Sequence, residues 1–242
     1  MASAPGGTHH DPLADYRGMS FRERFLAPDR YGLLLVMILV AILVSALFSG
    51  RKWGGVLTAA IVGGTLLYAM KTSRVDHRLR RIGYVIVPVL VASAVVAAFG
   101  GGRLASALVT AVIALLVLAA IAAIMSRARV HTTITIRTVF GALCLYLMIG
   151  LFYSALFPTI AHLAGQPFFA QAGTHGSVDY LYFSYVTMST VGYGDLTAAG
   201  NLGKMLAVSE ALIGQMFLVT VVALVVTNIG RSRTVQGTDA ED

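Results

Sequence analysis

Long apolar stretches, separated by short connections that carry most of the charges, dominate this chain. Six of them are about as long as a helix must be to cross a hydrocarbon core of roughly 30 Å. They are Tyr31–Phe48, Trp53–Met70, Ile82–Phe99, Leu104–Ile124, Thr138–Phe157 and about Leu202–Ile229. A further stretch, Val178–Met188, is too short to cross and is predicted to be a re-entrant helix. The pattern predicts an all-α membrane protein with six transmembrane helices and one re-entrant helix.

Composition supports a membrane protein and excludes several other classes. Hydrophobic residues make up 57% of the chain and charged residues 12%, whereas a soluble domain has about 25% charged residues. The net charge of +7 comes from basic residues between the apolar stretches, so it does not indicate a nucleic-acid partner. The single cysteine, Cys144, lies inside an apolar stretch, where we expect it to pack. Because no nucleophile–base pair, metal-ligand spacing or phosphate-binding loop is found, we predict no enzyme and no organic cofactor.

The distribution of lysine and arginine predicts the orientation. Of the 18 such residues, all but Arg51, Lys52, Arg103 and Lys204 lie in the N-terminal segment, in the C-terminal segment or in connections on the same side. Cytoplasmic connections carry the excess of positive charge. Both termini are therefore predicted to be cytoplasmic, and residues 158–201 to lie outside.

One motif in that outer segment carries specific chemistry. Residues 190–195, directly after the predicted re-entrant helix, read Thr190-Val191-Gly192-Tyr193-Gly194-Asp195. The motif resembles the signature filter of potassium channels. A dehydrated potassium ion needs a cage of oxygens, and backbone carbonyls supply one without a formal charge that would trap the ion. Glycines at 192 and 194 can adopt backbone conformations in which successive carbonyls point to one side.

The resemblance implies a role for each residue of the motif. Potassium ions would bind to carbonyl oxygens of four residues, and the hydroxyl of the first would lie at the inner end: these are Thr190, Val191, Gly192 and Tyr193. Tyr193 would pack against the re-entrant helix, and Asp195 would lie at the outer mouth. Because one strand cannot surround an ion, four copies are required, and a homotetramer is predicted. The expected function is passive, potassium-selective conduction.

The last apolar stretch extends the resemblance. Residues 210–218 resemble the inner helix of compact bacterial channels with two-transmembrane pores, and the likeness covers about residues 138–230. Gly214 is either a gating hinge or a small residue that permits close helix packing. Glu210 is either buried, with a hydrogen bond to Thr187 or Ser189, or exposed at the membrane interface. The high proportion of arginine, together with the compact pore, favours a bacterial plasma membrane.

The chain departs from the channel pattern at two positions around the filter. Tyr182 and Phe183 stand where many family members have a pair of tryptophans, so the support of the filter is expected to be softer. Val186 stands where some members have a glutamate that pairs with the filter aspartate. Asp195 is therefore expected to use another partner. The predicted supporting residues of the filter are Glu210, Tyr182, Phe183 and Thr187.

The first four spans do not match a voltage sensor, because Leu104–Ile124 contains no charged residue. They could brace the pore, set its lipid contacts or bind a hydrophobic ligand. The loop before the third span either binds anionic lipid or only reflects positive-inside topology; its basic residues are Lys71, Arg74, Arg78, Arg80 and Arg81. The predicted division is a cytoplasmic tail (1–30), a four-helix domain (31–130), a pore domain (131–230) and a second cytoplasmic tail (231–242).

Two rival functions remain at this point. Some subunits of potassium uptake systems also contain re-entrant loops with filter-like strands, but they repeat the helix–loop–helix unit four times, and it occurs once here. A non-conducting membrane protein would explain the spans and leave the motif as a coincidence.

Overall fold

A computed structural model describes residues 30–48, 102–128 and 136–238, together with single positions in 60–68 and residues 88 and 92. The five named helices are α1 (Arg30–Leu47), α2 (Arg103–Ala128), α3 (Ile136–Ala164), α4 (Ser177–Met188) and α5 (Asn201–Thr238). Within these ranges the extended backbone is limited to one antiparallel bridge, between Phe169 and Ala198. The described part of the chain is thus helical, as the sequence predicted.

Three of the described helices are long and apolar enough to cross a membrane: α2, α3 and α5. Helix α1 contains a shorter apolar segment, Gly32–Leu47. The second and third predicted spans lie almost entirely outside the described residues, and the few positions described within them are helical. The N-terminal tail before residue 30 and the basic loop 71–81 also lie outside the described residues. The number of six spans therefore stays a prediction.

Two helices extend further than the sequence predicted. Helix α3 continues past Phe157 and through Pro158 to Ala164. A proline removes one backbone hydrogen bond from a helix, and here the flanking Phe157 is fully buried. The helix ends at Gly165, whose φ of +68° is typical of a helix C-terminus and whose N–H donates to the Ala161 carbonyl at 3.0 Å. Helix α5 continues to Thr238, into the segment predicted to be a tail.

The first core cluster joins α1 and α2 to α3 of the same chain. Its fully buried members include Leu34 and Ile38 from α1, Val117 from α2, and Cys144 and Met148 from α3. Cys144 has the packing role expected from its sequence context. Both α1 and α2 thus pack on their own α3, in agreement with the short connection between α2 and α3.

The second core cluster is aromatic and lies where α3, α4 and the connection between them meet. Phe157, Phe168 and Phe183 contact one another with ring centroids 4.8–5.8 Å apart. Backbone hydrogen bonds of 2.8 Å from Ala170 to Thr197 and from Ala199 to Phe168 join the segment before α4 to the segment after the TVGYGD motif. The cluster therefore fixes both ends of the loop that carries the motif.

Helix α5 contacts the rest of the chain through a narrow seam. Among residues 201–226, the part of this helix whose side chains the structure describes, the buried positions are Gly203, Glu210 and Gly214, and their spacings of seven and four residues place them on one face. A Cβ on Gly203 would lie 3.0 Å from the Phe168 ring, so a glycine at this position permits α5 to approach that ring closely. Most other side chains of α5, including Leu212 and Met216, remain exposed in the single chain.

Candidate functional site

The short helix α4 has a well-defined start. Gly176 is its N-cap residue, and the Asp179 carboxylate in the first turn accepts a 2.8 Å hydrogen bond from the Gly176 N–H. A negative carboxylate at this position also interacts favourably with the partly positive N-terminus of the helix. With 12 residues, α4 is about 18 Å long and too short to cross a bilayer.

Two side chains anchor α4 to α3. Ser184 donates a 2.7 Å hydrogen bond to the Gly150 carbonyl, and the Tyr185 hydroxyl donates one of 2.7 Å to the Leu147 carbonyl. Gly150 is needed at this crossing, because a Cβ on it would lie 2.7 Å from the Tyr185 ring. Gly150, Ser184 and Tyr185 were not predicted from sequence to support the motif. A glycine and a serine within apolar helices could have indicated a close helix contact, but the two residues are 34 positions apart in the chain.

The backbone of the TVGYGD motif has an unusual alternation. Thr190, Gly192 and Gly194 have φ values of +59°, +53° and +81°, whereas Val191 and Tyr193 are not in the positive-φ region. When left- and right-handed conformations alternate, successive N–H groups converge on one side of the strand and the carbonyls turn to the other. At the inner end, the N–H groups of Val191 and Gly192 lie 3.0 Å and 3.4 Å from the Val186 carbonyl of α4. The segment therefore has the backbone pattern that a row of carbonyl ligands requires.

Thr190 is the strained residue of this segment. A positive φ is unfavourable for a β-branched side chain, at a cost of about 1–3 kcal/mol. The surrounding contacts hold it, because its N–H donates to the Thr187 carbonyl at 3.0 Å. The Gln215 amide of α5 lies 3.5 Å from the Thr190 hydroxyl, at the outer limit of a hydrogen bond. Such strain is typical of functional sites, and the sequence analysis had assigned unusual conformations only to the two glycines.

Tyr182 of α4 holds the outer end of the motif. A hydrogen bond to Asp195, with smaller contributions from desolvation and nearby charge, raises the pKa of Tyr182 above its ordinary value of 10.0. The phenol therefore stays protonated, and remains a donor, at neutral pH. The Tyr182 ring also lies parallel to the Tyr193 ring, with centroids 6.4 Å apart. Tyr182 therefore lies next to Asp195, and its role as the partner expected in the absence of a glutamate at position 186 stays a prediction.

Replacing Tyr182 by phenylalanine should free the outer end of the motif without changing the packing of the ring. The variant loses the hydrogen bond to Asp195 and keeps the stacking on Tyr193. We expect a several-fold fall in the ratio of potassium to sodium flux through reconstituted protein, because the motif then becomes less rigid. Tyr153→Phe, which removes the 2.9 Å hydrogen bond to Ser209 away from the motif, is the matched control. Equal flux ratios in the two variants would show that the Asp195 contact does not stabilise the motif.

Glu210 is fully buried between α3, α4 and α5, but its partner differs from the prediction. Its Oε1 lies 2.5 Å from the Ser184 hydroxyl, one helical turn from the expected Thr187 or Ser189. Ser189 instead donates to the Tyr185 carbonyl at 2.6 Å. Within the described residues, Oε2 of Glu210 has no hydrogen-bond partner. The Glu210–Ser184–Gly150 chain therefore connects three helices directly behind the motif.

Gly214 lies where α5 passes the C-terminus of α4. A Cβ on Gly214 would lie 2.6 Å from Met188 Cγ and 2.9 Å from the Met188 carbonyl oxygen. Since the backbone carbonyl cannot move aside easily, the contact requires glycine. Helix α5 is continuous through this position. The structure therefore gives Gly214 a packing role, and the alternative role of gating hinge stays a prediction.

The motif is open to solvent in the single chain. Residues 189–195 are all exposed, and the side chains of Val191 and Tyr193 are 52% and 72% exposed. Behind the motif lies an open cavity of about 350 Å³ between α4 and the start of α5, lined among others by Phe183, Thr187 and Lys204.

The pore-like part of the chain matches known proteins. Residues 141–231 match a family model described as "Ion channel". Three plant proteins are similar to part of the chain. Two pore potassium channel c of Oryza sativa subsp. japonica is 40% identical over 74 residues, and two pore potassium channel b of the same species is 39% identical over 69 residues. Two-pore potassium channel 3 of Arabidopsis thaliana is 31% identical over 83 residues. In that order, these matches cover 30%, 28% and 34% of this chain and only 15%, 20% and 17% of the relatives. No solved structure matches the chain.

These comparisons define the class of the matched segment. The segment includes most of α3 and all of α4, the TVGYGD motif and Glu210. It is similar to the pore segments of ion channels, and the matching model describes channels rather than enzymes. Together with three apolar helices long enough to span a bilayer, the match indicates a membrane protein.

Proposed function

We propose that this chain is a subunit of a potassium-selective channel that works as a homotetramer in the plasma membrane, with both termini in the cytoplasm. Potassium ions pass down their gradient and bind to backbone carbonyls of Thr190, Val191, Gly192 and Tyr193. The conventional voltage sensor is absent, since the predicted fourth span has no charged residue between Leu104 and Ile124. The relatives of the matched segment carry the name of potassium channels.

The alternating backbone of the motif is the observation that carries this proposal. Residues 190, 192 and 194 have positive φ and the residues between them do not, an alternation that lets successive carbonyls point to one side. A row of carbonyls can replace the hydration shell of a potassium ion without binding it too tightly to leave. The partly negative C-terminus of α4 lies at the start of this row and favours a cation there.

The proposal of a tetramer is supported by the single chain, which supplies only part of the ring of carbonyl ligands that an ion needs. One row of carbonyls covers only one side of an ion, so a closed ring needs several copies around an axis. The exposed side chains of Val191 and Tyr193 and the cavity behind them would then be covered by the neighbouring copy. The exposed apolar face of α5 supplies further contact area towards the axis and towards lipid.

The test is the flux of potassium against sodium through the purified full chain in liposomes, with barium as the blocker. Barium-sensitive flux of potassium, with little flux of sodium, is expected. Gly192→Asp should abolish it, because a side chain is strained at a φ of +53° and its carboxylate would lie beside the ion path. Gly200→Asp is the matched control, because it lies outside the motif in open space without a positive φ.

Each other outcome points to a different function. Equal flux of both ions would mean that the motif does not form a selective filter. Absence of flux from a protein that cross-links as a tetramer would favour a non-conducting membrane protein. Flux that requires a second, different subunit would favour a part of a potassium uptake system.

A further inference from the structure

A cavity of about 230 Å³ lies between α1, α2, α3 and the first two turns of α4, away from the motif. Side chains from all four helices line it. Its apolar wall is formed by Ala41, Ile42, Ile113, Val117, Leu151, Ala155 and Leu181. A cavity with such walls can hold a hydrocarbon chain.

Two hydroxyl groups in the middle of the wall, those of Ser154 and Thr110, are already engaged in hydrogen bonds. Ser154 donates to the Leu151 carbonyl at 2.8 Å. Thr110 lies 3.1 Å from the carbonyls of Ser106 and Ala107, and it accepts a hydrogen bond from Thr159 at 2.8 Å. Because these hydroxyls are satisfied within their own helices, they present mainly carbon to the cavity.

Nitrogen-bearing side chains gather at one end of the cavity. His162 from the last turn of α3 and His175, just before α4, both line it. The Arg103 guanidinium lies near His162: a Cβ on Gly165, three residues further along the chain, would collide with the guanidinium, and its charge acts on His162. The nearby acidic residue, Asp179, is already engaged, because its carboxylate accepts from the Gly176 N–H and lies 3.6 Å from His175 Nδ1.

This end has a free donor. His175 already contacts the Gln171 carbonyl at 3.1 Å, whereas the His162 ring forms no hydrogen bond with any residue that the structure describes. An imidazole N–H and a guanidinium side by side suit an anionic oxygen group. Apolar walls and a basic end together select a molecule with a hydrocarbon chain at one end and an anionic oxygen group at the other.

We propose that this cavity binds one hydrocarbon chain that carries an anionic oxygen headgroup, with the headgroup at His162 and Arg103. Both a free fatty acid and a membrane phospholipid have this chemistry. The occupant contacts Tyr180 and Leu181 of α4, so it joins the first helices to the helix that precedes the motif. Binding at this cavity does not depend on the proposed conduction.

The test is photolabelling of the full chain in detergent with a diazirine analogue of palmitate, with peptides mapped by mass spectrometry and laurate as competitor. Labels are expected on peptides of α2 and α3 that line the cavity. Ser154→Phe and, separately, Ile113→Trp should fill the cavity and reduce this labelling at least tenfold, while thermal melting reports that each variant is folded. Labelling that neither folded variant reduces would overturn the proposal.

Headgroup recognition is tested with two probes of equal chain length. Laurate should compete at least fivefold more weakly against His162→Ala than against the parent protein, whereas dodecanol should compete equally with both. Leu163→Ala, whose side chain is 64% exposed next to His162, is the control and should behave as the parent. Equal competition by laurate in all three proteins would refute the headgroup assignment.

The source of the ligand is identified in a separate arm. Protein extracted from membranes is analysed by native mass spectrometry with and without Ser154→Phe. Loss of a bound phosphatidylglycerol in the variant would assign the site to a membrane lipid. Loss of a bound fatty acid would assign it to the free acid, and unchanged spectra in which neither is bound to the parent protein would contradict occupation in the membrane.

Discussion

Glu210→Ala is expected to lower the free energy of unfolding by about 2–4 kcal/mol, the range found when a large buried side chain is truncated and a hydrogen bond is lost. Glu210 is fully buried, and its carboxyl group is the link between α5 and Ser184 of α4. Without it, α5 loses its hydrogen bond to α4 at the centre of the buried seam. Thermal melting of the purified protein in detergent should show a fall in Tm of several degrees.

Glu210→Gln is expected to remain close to the parent protein. Ser184 has one hydroxyl proton but lies at hydrogen-bond distance from two acceptors, the Gly150 carbonyl and Glu210 Oε1. Both contacts can be hydrogen bonds only when the side chain at position 210 supplies a proton, which a glutamine amide does. The buried volume is also kept. A melting temperature of the glutamine variant as low as that of the alanine variant would contradict this arrangement.

A double-mutant cycle separates the hydrogen bond from the packing. Ser184→Ala alone leaves the carboxyl of Glu210 buried without its partner. The substitution should therefore lower the free energy of unfolding more in the parent protein than in the Glu210→Ala variant. A coupling of about 1–2 kcal/mol is expected for groups in direct contact. Leu212→Ala, on the exposed face of α5, is the control and should couple to Ser184 by less than about 0.5 kcal/mol.

Gly214→Ala is expected to destabilise the protein and to impair potassium flux. The added Cβ would lie 2.6 Å from Met188 Cγ and 2.9 Å from the Met188 carbonyl oxygen, so α5 and the end of α4 must separate. Overpacking of this kind costs about 1–3 kcal/mol. Because Met188 lies two residues before Thr190, the separation should also disturb the motif. Thermal melting and liposome flux measure the two effects.

Gly64→Ala is the control, because its expected effect on stability is neutral or opposite to that of Gly214→Ala. Gly64 is helical, and no atom of the residues that the structure describes lies within 4 Å of a Cβ added there. There, alanine should leave stability unchanged or raise it by up to about 1 kcal/mol, because alanine favours helix over glycine. If Gly214→Ala is also neutral or stabilising while flux falls, the defect comes from lost flexibility, and the hinge role of Gly214 gains support over the packing role.

The elements around the motif were predictable from local sequence, but their contacts were not. Apolar stretches of sufficient length predicted α2, α3 and α5, and a short apolar stretch predicted α4, because helix formation and membrane burial depend on consecutive residues. The predicted end of α3, at Phe157, was too early, because a proline follows and a proline normally limits a helix. In the structure the helix continues through Pro158, next to the fully buried Phe157. The partner of Glu210 was misplaced by one turn, because sequence does not fix the rotation of α5 against α4.

The sequence by itself determined two properties of this protein: long apolar helices that suit a membrane, and a TVGYGD loop with glycines at alternate positions. Those properties reside in residue types and in spacings within a single segment. Only the tertiary structure decided which side chains meet across helices: Ser184 with Gly150 and Glu210, Tyr182 with Asp195, and Gly214 with Met188. The strained backbone of Thr190 also belongs to the structure alone, because a positive φ at a β-branched residue persists only where surrounding contacts hold it.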